Sequence, residues 1–496
     1  MSRIREEVDH AVSTDTELDK IIIEIKEKID PDIMIDREAR VNGLFQLRQL
    51  LRGNSKQLEM ILKNFLHHFS NIDPPITKVI ESGLIETVFR YLQVEDIELR
   101  FESTWIVSNA ATGSISDVEY LLELGMMERM RQSLYSEHER LLEKTIWAVG
   151  NVCGQSSSNV RDFVVNQPEI IKQVVHLSVS KIQALMNQPS PCEDTLDLVR
   201  ALAWMMHTCC RGRPAPDFDI TRQFLPSLLM FLRYPDSELQ LHASSAYAFL
   251  TEGPARQVRE VIRSGFLPIM MTIIQGKDYE LEEELLLAVL RVLGNISSRD
   301  PARCVVELGG LELLARHLTP LCSPAVKHTA CLALSEVVAH SRSEAECVLN
   351  HPHLLPRLAD LFRDPREGSE VRSSILWLVA SITLQGEASF IFQLLEFDLS
   401  PGFIAVLSSV DVNAVAICLA TIDAVCLCLR ENDKFLELEE FRDSLEAHGG
   451  MDVIDDLQNS SDRRVSFKAM DVLRGFQEVI EGVEEDGGQE GMVSQG

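Results

Sequence analysis

Aromatic residues are scarce in this chain, and its cysteines lack the spacing of a metal-binding pair. Phe, Trp and Tyr together make up 6% of the 496 residues. A core with so few rings must be built from aliphatic side chains, which favours helices over a β-sandwich. The eleven cysteines form no C-x-x-C pair, so they indicate small buried side chains in a reducing compartment rather than zinc ligands.

The sequence also lacks a segment that would enter a membrane. No basic-then-apolar signal opens the chain. The longest uncharged run, 145–160, is too short and too polar to cross a bilayer. We therefore expect a soluble, intracellular protein that does not contact membranes.

Basic residues are outnumbered by acidic ones. The chain has 47 Lys and Arg against 76 Asp and Glu, which gives a formal net charge of −29. Such a charge repels nucleic acid and attracts basic partners. The alternative is that the excess of acid only keeps a long surface soluble.

Motifs for catalysis and cofactor binding are missing as well. The sequence has no P-loop, G-x-S-x-G or H-E-x-x-H motif. Cys347, His351 and His353 are near neighbours, but they lack the paired ligand spacing of a zinc site. We expect no enzymatic activity, no cofactor and no metal.

What the sequence does contain is an internal repeat. Two aliphatic residues, two variable residues and a glycine precede an apolar helical stripe, and the glycine is Gly83, Gly125, Gly265 or Gly309. The step is 42 residues from Gly83 to Gly125 and 44 residues from Gly265 to Gly309. Periods of about 40–47 residues are typical of HEAT and armadillo arrays. One unit cannot bury its apolar face alone, so stacked units share an elongated core.

The two ends of the chain depart from the repeat. Residues 1–45 form a mixed-charge segment with some helical character, and the repeat array occupies 46–480. Residues 481–496 are acidic and rich in glycine, so we expect them to be disordered.

Four tryptophans occupy equivalent places in the repeat. Trp105 and Trp147 each follow a repeat glycine by 22 residues, and Trp204 and Trp377 also fall in the predicted last helix of a unit. At about 100° per residue, each ring lies to one side of the apolar face of its helix. The first two tryptophans carry an asparagine four residues later, on the same edge of the helix.

This arrangement predicts a groove for extended peptides. Stacked last helices form the concave wall of a solenoid, where the stem of a Lys or Arg fits between two indoles and gains cation–π attraction. An asparagine amide both donates and accepts, so it can hold a peptide backbone of any sequence. The nearby carboxylates Glu102, Glu143 and Glu238 favour a basic ligand. The alternative is that each indole merely fills a gap between repeats.

Several segments resemble the importin-α family, whose armadillo adaptors bind nuclear localisation signals. The resemblance runs from about Pro74 to Gln477. The segments that carry it are Phe101–Trp105 with Asn109, Ile146–Asn151, Arg211 with Pro214–Pro216, Leu250–Pro254, Leu290–Asn295 and His448–Asn459. The resemblance implies an all-α, right-handed superhelical solenoid of about ten armadillo repeats.

The same resemblance implies which residues line the groove. In that family the early repeats form a major site and the later repeats form a minor site. The positions that match the major site are Trp105, Asn109, Gly113, Glu143, Trp147, Asn151, Trp204 and Glu238. Arg291 and Asn295 match the stretch between the two sites, and Trp377 matches the minor site.

Other positions depart from the family pattern. Gln155 replaces the acid that holds the key lysine, Val118 replaces a threonine of the same pocket, and Thr208 replaces the third asparagine. Later repeats lose Trp or Asn at four positions, namely Ser245, Leu332, Glu336 and Ser381. Residues 1–45 contain no basic run of the kind that recruits importin-β in that family.

We therefore predict a nuclear import adaptor that works in the cytoplasm and nucleus. It binds proteins with basic nuclear localisation signal peptides, mainly through repeats 1–3. The resemblance implies importin-β and an export receptor as further partners, although the missing basic run argues against importin-β. The alternative is a non-transport armadillo scaffold dedicated to one specific protein partner.

Overall fold

The computed structural model describes residues 18–51, 74–188, 192–275, 283–299 and 302–487. These residues form helices and turns, with no strand among them. The chain divides into two units, Met1–Leu250 and Thr251–Gly496, here called the N-terminal and C-terminal units. Both consist of three-helix armadillo repeats, which confirms the all-α armadillo fold expected from the sequence.

The N-terminal unit begins with helices 18–29 and Arg37–Leu51, and four repeats follow within its described residues. These are repeat 1 (Ile76–Glu81, Leu84–Tyr91, Ile97–Ala110), repeat 2 (Ile115–Glu123, Met126–Ser133, Glu139–Cys153), repeat 3 (Ser158–Val165, Pro168–Met186, Glu193–Cys210) and repeat 4 (Phe218–Thr221 with the 3-10 turn Arg222–Phe224, Leu225–Arg233, Ser237–Leu250). The third helices of consecutive repeats pack on one another. Helix Arg37–Leu51 packs on the third helix of repeat 1 in the same way, so the boundary expected at 45/46 falls inside the stack.

The C-terminal unit holds five repeats within its described residues. They are repeat 5 (Ala255–Arg263, Phe266–Gln275, Glu283–Ser297), repeat 6 (Ala302–Glu307, Gly310–Arg316, Pro324–His340), repeat 7 (Arg342–Leu349, Leu354–Arg363, Ser369–Thr383), repeat 8 (Ala388–Leu395, Ser400–Leu407, Val412–Glu431) and repeat 9 (Phe435–Ala447, Gly450–Leu457, Arg463–Gly487). Their third helices also pack in sequence order. The last helix continues into the segment 481–496 that we expected to be disordered, and 488–496 lie outside the described residues.

The repeat glycine forms the sharp turn between the first and second helices. Gly83 and Gly125 have φ angles of 78° and 80°, a left-handed conformation that glycine adopts without strain. The Gly83 amide donates to the Ile80 carbonyl at 3.0 Å, and the Gly125 amide donates to Leu122 in the same way. These bonds end the first helix and satisfy one of its last carbonyls. The same conformation recurs at Gly265, Gly309 and Gly449.

Aliphatic side chains fill the core between the helices. In repeat 2, Leu141, Leu142, Ile146 and Val149 on the third helix are at most 1% exposed. Burial of each such side chain contributes about 1.5–3 kcal/mol. This row of aliphatic residues fixes the orientation of the helix and leaves its neighbouring edge for other side chains.

Helix Val412–Glu431 is long and apolar enough to cross a membrane by length and composition. Its side chains Cys418, Leu419 and Ile422 are completely buried, so within its unit it is a core helix of repeat 8. Asp423 on the same helix forms an ion pair with Lys468 at 3.1 Å. Asp423 interrupts the apolar residues of this helix, so the sequence shows no long uncharged run there.

Candidate functional site

The four tryptophans lie on third helices, as the repeat period predicts. Trp105, Trp147 and Trp204 belong to repeats 1, 2 and 3, and Trp377 belongs to repeat 7 of the other unit. The first three rings are partly buried, whereas Trp377 is 48% exposed. The residue that follows each of the first three in sequence is completely buried, so these rings lie beside the core.

Trp147 and Trp204 contact each other directly. Their ring centroids are 4.3 Å apart and their planes are inclined by 34°. Gly150 permits this approach, because a Cβ there would clash with the Trp204 ring. An inserted methylene stem needs a contact of about 3.5–4 Å on each side. The expectation of an open slot between these two rings is therefore wrong, and the pair forms one joined aromatic surface.

Trp105 is covered by two cations of the protein itself. The guanidinium carbon of Arg48 lies 3.9 Å from the ring centre, and the Lys144 Nζ lies 4.2 Å from it. Arg48 belongs to helix Arg37–Leu51 and Lys144 to the third helix of repeat 2, which are the two neighbours of the helix that carries Trp105. The cation–π position of repeat 1 is thus filled from within the chain.

Two of the carboxylates expected to attract a basic ligand are paired with these same cations. Glu102 is buried and accepts a hydrogen bond from Arg48 at 3.0 Å. Burial raises the pKa of Glu102, and the charge of Arg48 offsets part of this rise. The Lys144 Nζ donates to Glu143 at 2.8 Å. Glu102 therefore stabilises the fold instead of facing a ligand, which corrects its predicted role.

Glu238 belongs to a second cluster of charges on repeats 3 and 4. Its carboxylate lies 3.4 Å from the Arg200 Nε and 3.8 Å from the His242 Nε2. Asp236 accepts a hydrogen bond from Arg200 at 2.7 Å, and this bond raises the pKa of the guanidinium. Burial lowers the pKa of His242 to about 4, so its ring is neutral at pH 7. Glu238 is 47% exposed, the most accessible of the three predicted acids.

Asparagine amides connect successive third helices. The Asn151 Nδ2 donates to the Ser108 carbonyl at 2.7 Å, and the Asn109 Nδ2 donates to the Arg48 carbonyl at 3.5 Å. In each case the amide donates to the preceding helix of the stack. The amide oxygen is a further acceptor on the edge that carries the indole. A role in holding a peptide backbone stays a prediction.

Gln155 bonds to the end of the third helix of repeat 1. Its Nε2 donates to the Ala111 carbonyl at 2.9 Å and to the Gly113 carbonyl at 3.4 Å. Gly113 has no space for a side chain, because a Cβ would lie 2.8 Å from Asp117 and 2.9 Å from Ile76. A carboxylate at position 155 has no proton to donate to these carbonyls at pH 7. The Gln155 amide therefore binds the Ala111 and Gly113 carbonyls. By the resemblance, an acid at this position would instead hold a lysine of the ligand.

The third helices of repeats 3 and 4 carry stacked rings and lack the asparagine amides of the earlier repeats. Thr208, at the third asparagine position, is buried and donates its hydroxyl to the Met205 carbonyl at 2.8 Å. The preceding residue, His207, stacks on His242 and on Phe249, each at 5.7 Å between ring centroids. This part of the N-terminal unit presents aromatic surface and no amide ladder.

In the C-terminal unit the two predicted residues of repeat 5 contact the loop before them. Arg291 forms an ion pair with Glu252 at 2.7 Å, and the Asn295 Nδ2 donates to the Thr251 hydroxyl at 3.2 Å. Their role between two peptide sites stays a prediction. Across the described ranges, no group of three or more His, Cys, Asp or Glu side chains could hold a metal ion.

Comparisons with known proteins lead to one family by name, although no family model matches the chain. Importin subunit alpha-1b of Oryza sativa subsp. japonica is 26% identical over 299 residues, which cover 59% of this chain and 53% of that protein. Importin subunit alpha-2 of Arabidopsis thaliana is 30% identical over 203 residues, or 41% of this chain and 35% of that protein. The chain thus spans about half or less of the length of these two relatives. Importin subunit alpha-5 of Arabidopsis thaliana is 23% identical over 465 residues, or 92% and 85% of the two chains.

The fold also has a counterpart among solved structures. The crystal structure of an engineered protein matches 91% of this chain and 98% of its own length, with a TM-score of 0.70 and 17% identity. At that identity the match supports the fold alone. The sequence similarities and the stacked three-helix repeats together show a divergent armadillo protein that is similar to importin-α subunits.

Proposed function

We propose that this chain is a nuclear import adaptor whose N-terminal unit binds extended basic segments of other proteins. The observation that carries the proposal is the succession of Trp105, Trp147 and Trp204 on consecutive third helices, with Asn109 and Asn151 one turn beyond the first two rings. The net charge of −29 adds attraction for a basic segment. The names of the relatives support the transport role, and with it work in both cytoplasm and nucleus.

Each part of this face has a defined task in the proposal. The joined surface of Trp147 and Trp204 receives a Lys or Arg side chain through cation–π attraction. The Asn151 amide binds the ligand backbone without reading its sequence. Glu238, exposed on the next third helix, pairs with a further cationic side chain.

Titration of the full chain with a lysine-rich signal peptide tests the proposal. Trp147→Ala removes one ring of the joined surface, and we expect the affinity to fall about 5- to 30-fold. This estimate takes about 1–2 kcal/mol for the lost cation–π contact and ring packing. Isothermal titration calorimetry measures the change.

The matched control is Trp377→Ala, because this ring is 48% exposed and lies in the C-terminal unit. We expect it to leave the affinity within about twofold of the wild type, which is less than 0.5 kcal/mol. Equal losses in both variants would place the main site elsewhere. No measurable binding by the wild type would contradict the proposal altogether.

The contacts already made by the three rings favour a second candidate function, that of a scaffold dedicated to one protein partner. Two internal cations cover Trp105, and Trp147 rests against Trp204. Such a face offers a simple basic peptide fewer binding positions than an open row of rings. Affinity capture from cells that express the protein distinguishes the candidates. Many basic nuclear proteins in the captured material support the adaptor, and a single stoichiometric partner supports the scaffold.

A further inference from the structure

Lys144 is held against an aromatic ring and a carboxylate at the same time. Its Nζ lies 4.2 Å from the centre of the Trp105 ring and 2.8 Å from the Glu143 Oε1. The side chain is only 16% exposed. Lysines at a surface usually extend their ammonium group into solvent. The ammonium group of Lys144 instead lies against the protein.

The Trp105 ring and the Glu143 carboxylate are also the groups that would bind a cationic side chain of a ligand. A lysine bound at Trp105 needs an indole face and a nearby carboxylate. Lys144 already uses both groups. A second ammonium cannot share the position, because two like charges a few ångströms apart repel each other strongly in a partly buried site.

Arg48, the other cation on this ring, differs from Lys144 in its surroundings. Its side chain is 8% exposed, and it forms an ion pair with Glu102 inside the packing of helix Arg37–Leu51 on repeat 1. Displacing Arg48 would therefore disrupt the packing of two helices. Lys144 has a flexible four-carbon stem and a rotatable ammonium group, so it can leave the ring while its helix stays in place.

We infer that Lys144 is a specificity-determining residue that occupies the cation position on Trp105 and must leave before a basic side chain of a ligand binds there. This inference rests on the proposed function. It implies that the chain discriminates against short lysine-rich peptides whose contacts centre on repeat 1. Basic segments with further contacts to repeats 2 and 3 have enough binding energy to displace Lys144.

Titration of full-length variants with one lysine-rich signal peptide tests this inference. Lys144→Gln keeps a polar side chain of similar length and removes the charge from the ring. We expect this variant to bind the peptide about 3- to 10-fold more tightly than the wild type, since the freed cation–π position becomes available to the ligand.

Lys181→Gln is the matched control for the change in net charge. Lys181 is also partly buried, and it is also ion-paired to the third helix of repeat 2, through Glu139 at 2.5 Å. It belongs to the second helix of repeat 3. We expect its substitution to change the affinity less than about twofold.

A double-mutant comparison separates displacement from long-range charge. Trp105→Ala should lower the affinity less than about twofold in the wild-type background and about 5- to 10-fold in the Lys144→Gln background. If Trp105→Ala has the same effect in both backgrounds, or if Lys144→Gln matches Lys181→Gln, the inference is wrong while the proposed function stands. If neither the wild type nor any variant binds the peptide, the proposed function fails and the inference fails with it.

Discussion

Removal of one partner from the buried ion pair between Arg48 and Glu102 should strongly destabilise the N-terminal unit. The Arg48 Nη1 and the Glu102 Oε1 are 3.0 Å apart, and the two side chains are 8% and 9% exposed. Removal of the carboxylate takes the Glu102 partner away from a guanidinium that stays buried. Breaking such a pair from one side costs about 3–5 kcal/mol.

We therefore expect Glu102→Ala to lower the free energy of unfolding of the N-terminal unit by about 3–5 kcal/mol. Replacing both partners, in Arg48→Met with Glu102→Leu, should cost less than Glu102→Ala alone, because the buried charge of Arg48 is then removed together with that of Glu102. Glu98→Ala is the matched control on the same helix. Glu98 is 51% exposed and pairs with Arg37 at 2.9 Å, so its loss should cost at most about 1 kcal/mol.

Urea unfolding followed by tryptophan fluorescence measures these differences. A Trp377→Phe background confines the signal to the N-terminal unit, because the three remaining tryptophans belong to repeats 1–3. The slope of the transition should stay constant if only stability changes. The reasoning is refuted if Glu102→Ala costs no more than Glu98→Ala, or if the double variant is as unstable as Glu102→Ala.

Two further predictions concern the packing and the protonation of the same unit. Gly150→Ala should destabilise it by about 1–3 kcal/mol, because the new Cβ forces the Trp204 ring away, whereas Gly154→Ala meets its nearest atom at 3.4 Å and should cost less in the same urea assay. Burial lowers the pKa of His242 from 6.5 to about 4, so between these values the unfolded chain binds the proton more readily and stability falls as the pH falls. Between pH 7 and pH 5, the free energy of unfolding measured with urea should fall by about 2 kcal/mol more in the wild type than in His242→Gln. An equal fall in the two proteins would contradict the lowered pKa of His242.

The repeats could be predicted because their turn depends on one residue type. Gly83 and Gly125 adopt a left-handed conformation that other residues rarely accept, and their spacing reveals the period directly. The division at Leu250 could not be predicted, because it depends on the density of contacts between helices. No local residue pattern marks it, and Leu250–Pro254 there resembles the other repeat segments.

For the candidate site, the positions of the rings could be predicted but their contacts could not. Helical periodicity places Trp105 and Trp147 at the edge of the core, yet it says nothing about distances of a few ångströms between helices. A signal for Lys144 did exist, since it lies three residues before Trp147 and therefore one turn away on the same edge of the helix. Arg48 had no such signal, because its helix precedes the first repeat glycine and has no register in the period.

The contact between Trp147 and Trp204 is the resting state of these rings, and a side chain can lie between them only after they separate. An aromatic pair of this kind is worth about 0.5–1.5 kcal/mol, so the rings would be apart in roughly a third to a fourteenth of the molecules. A ligand that inserts a side chain between them has its apparent affinity lowered by that fraction. A ligand that lies flat across the joined rings binds the resting population and loses nothing. In the proposed function, the ring contact would therefore favour ligands that lie across the two rings over ligands that insert a side chain between them.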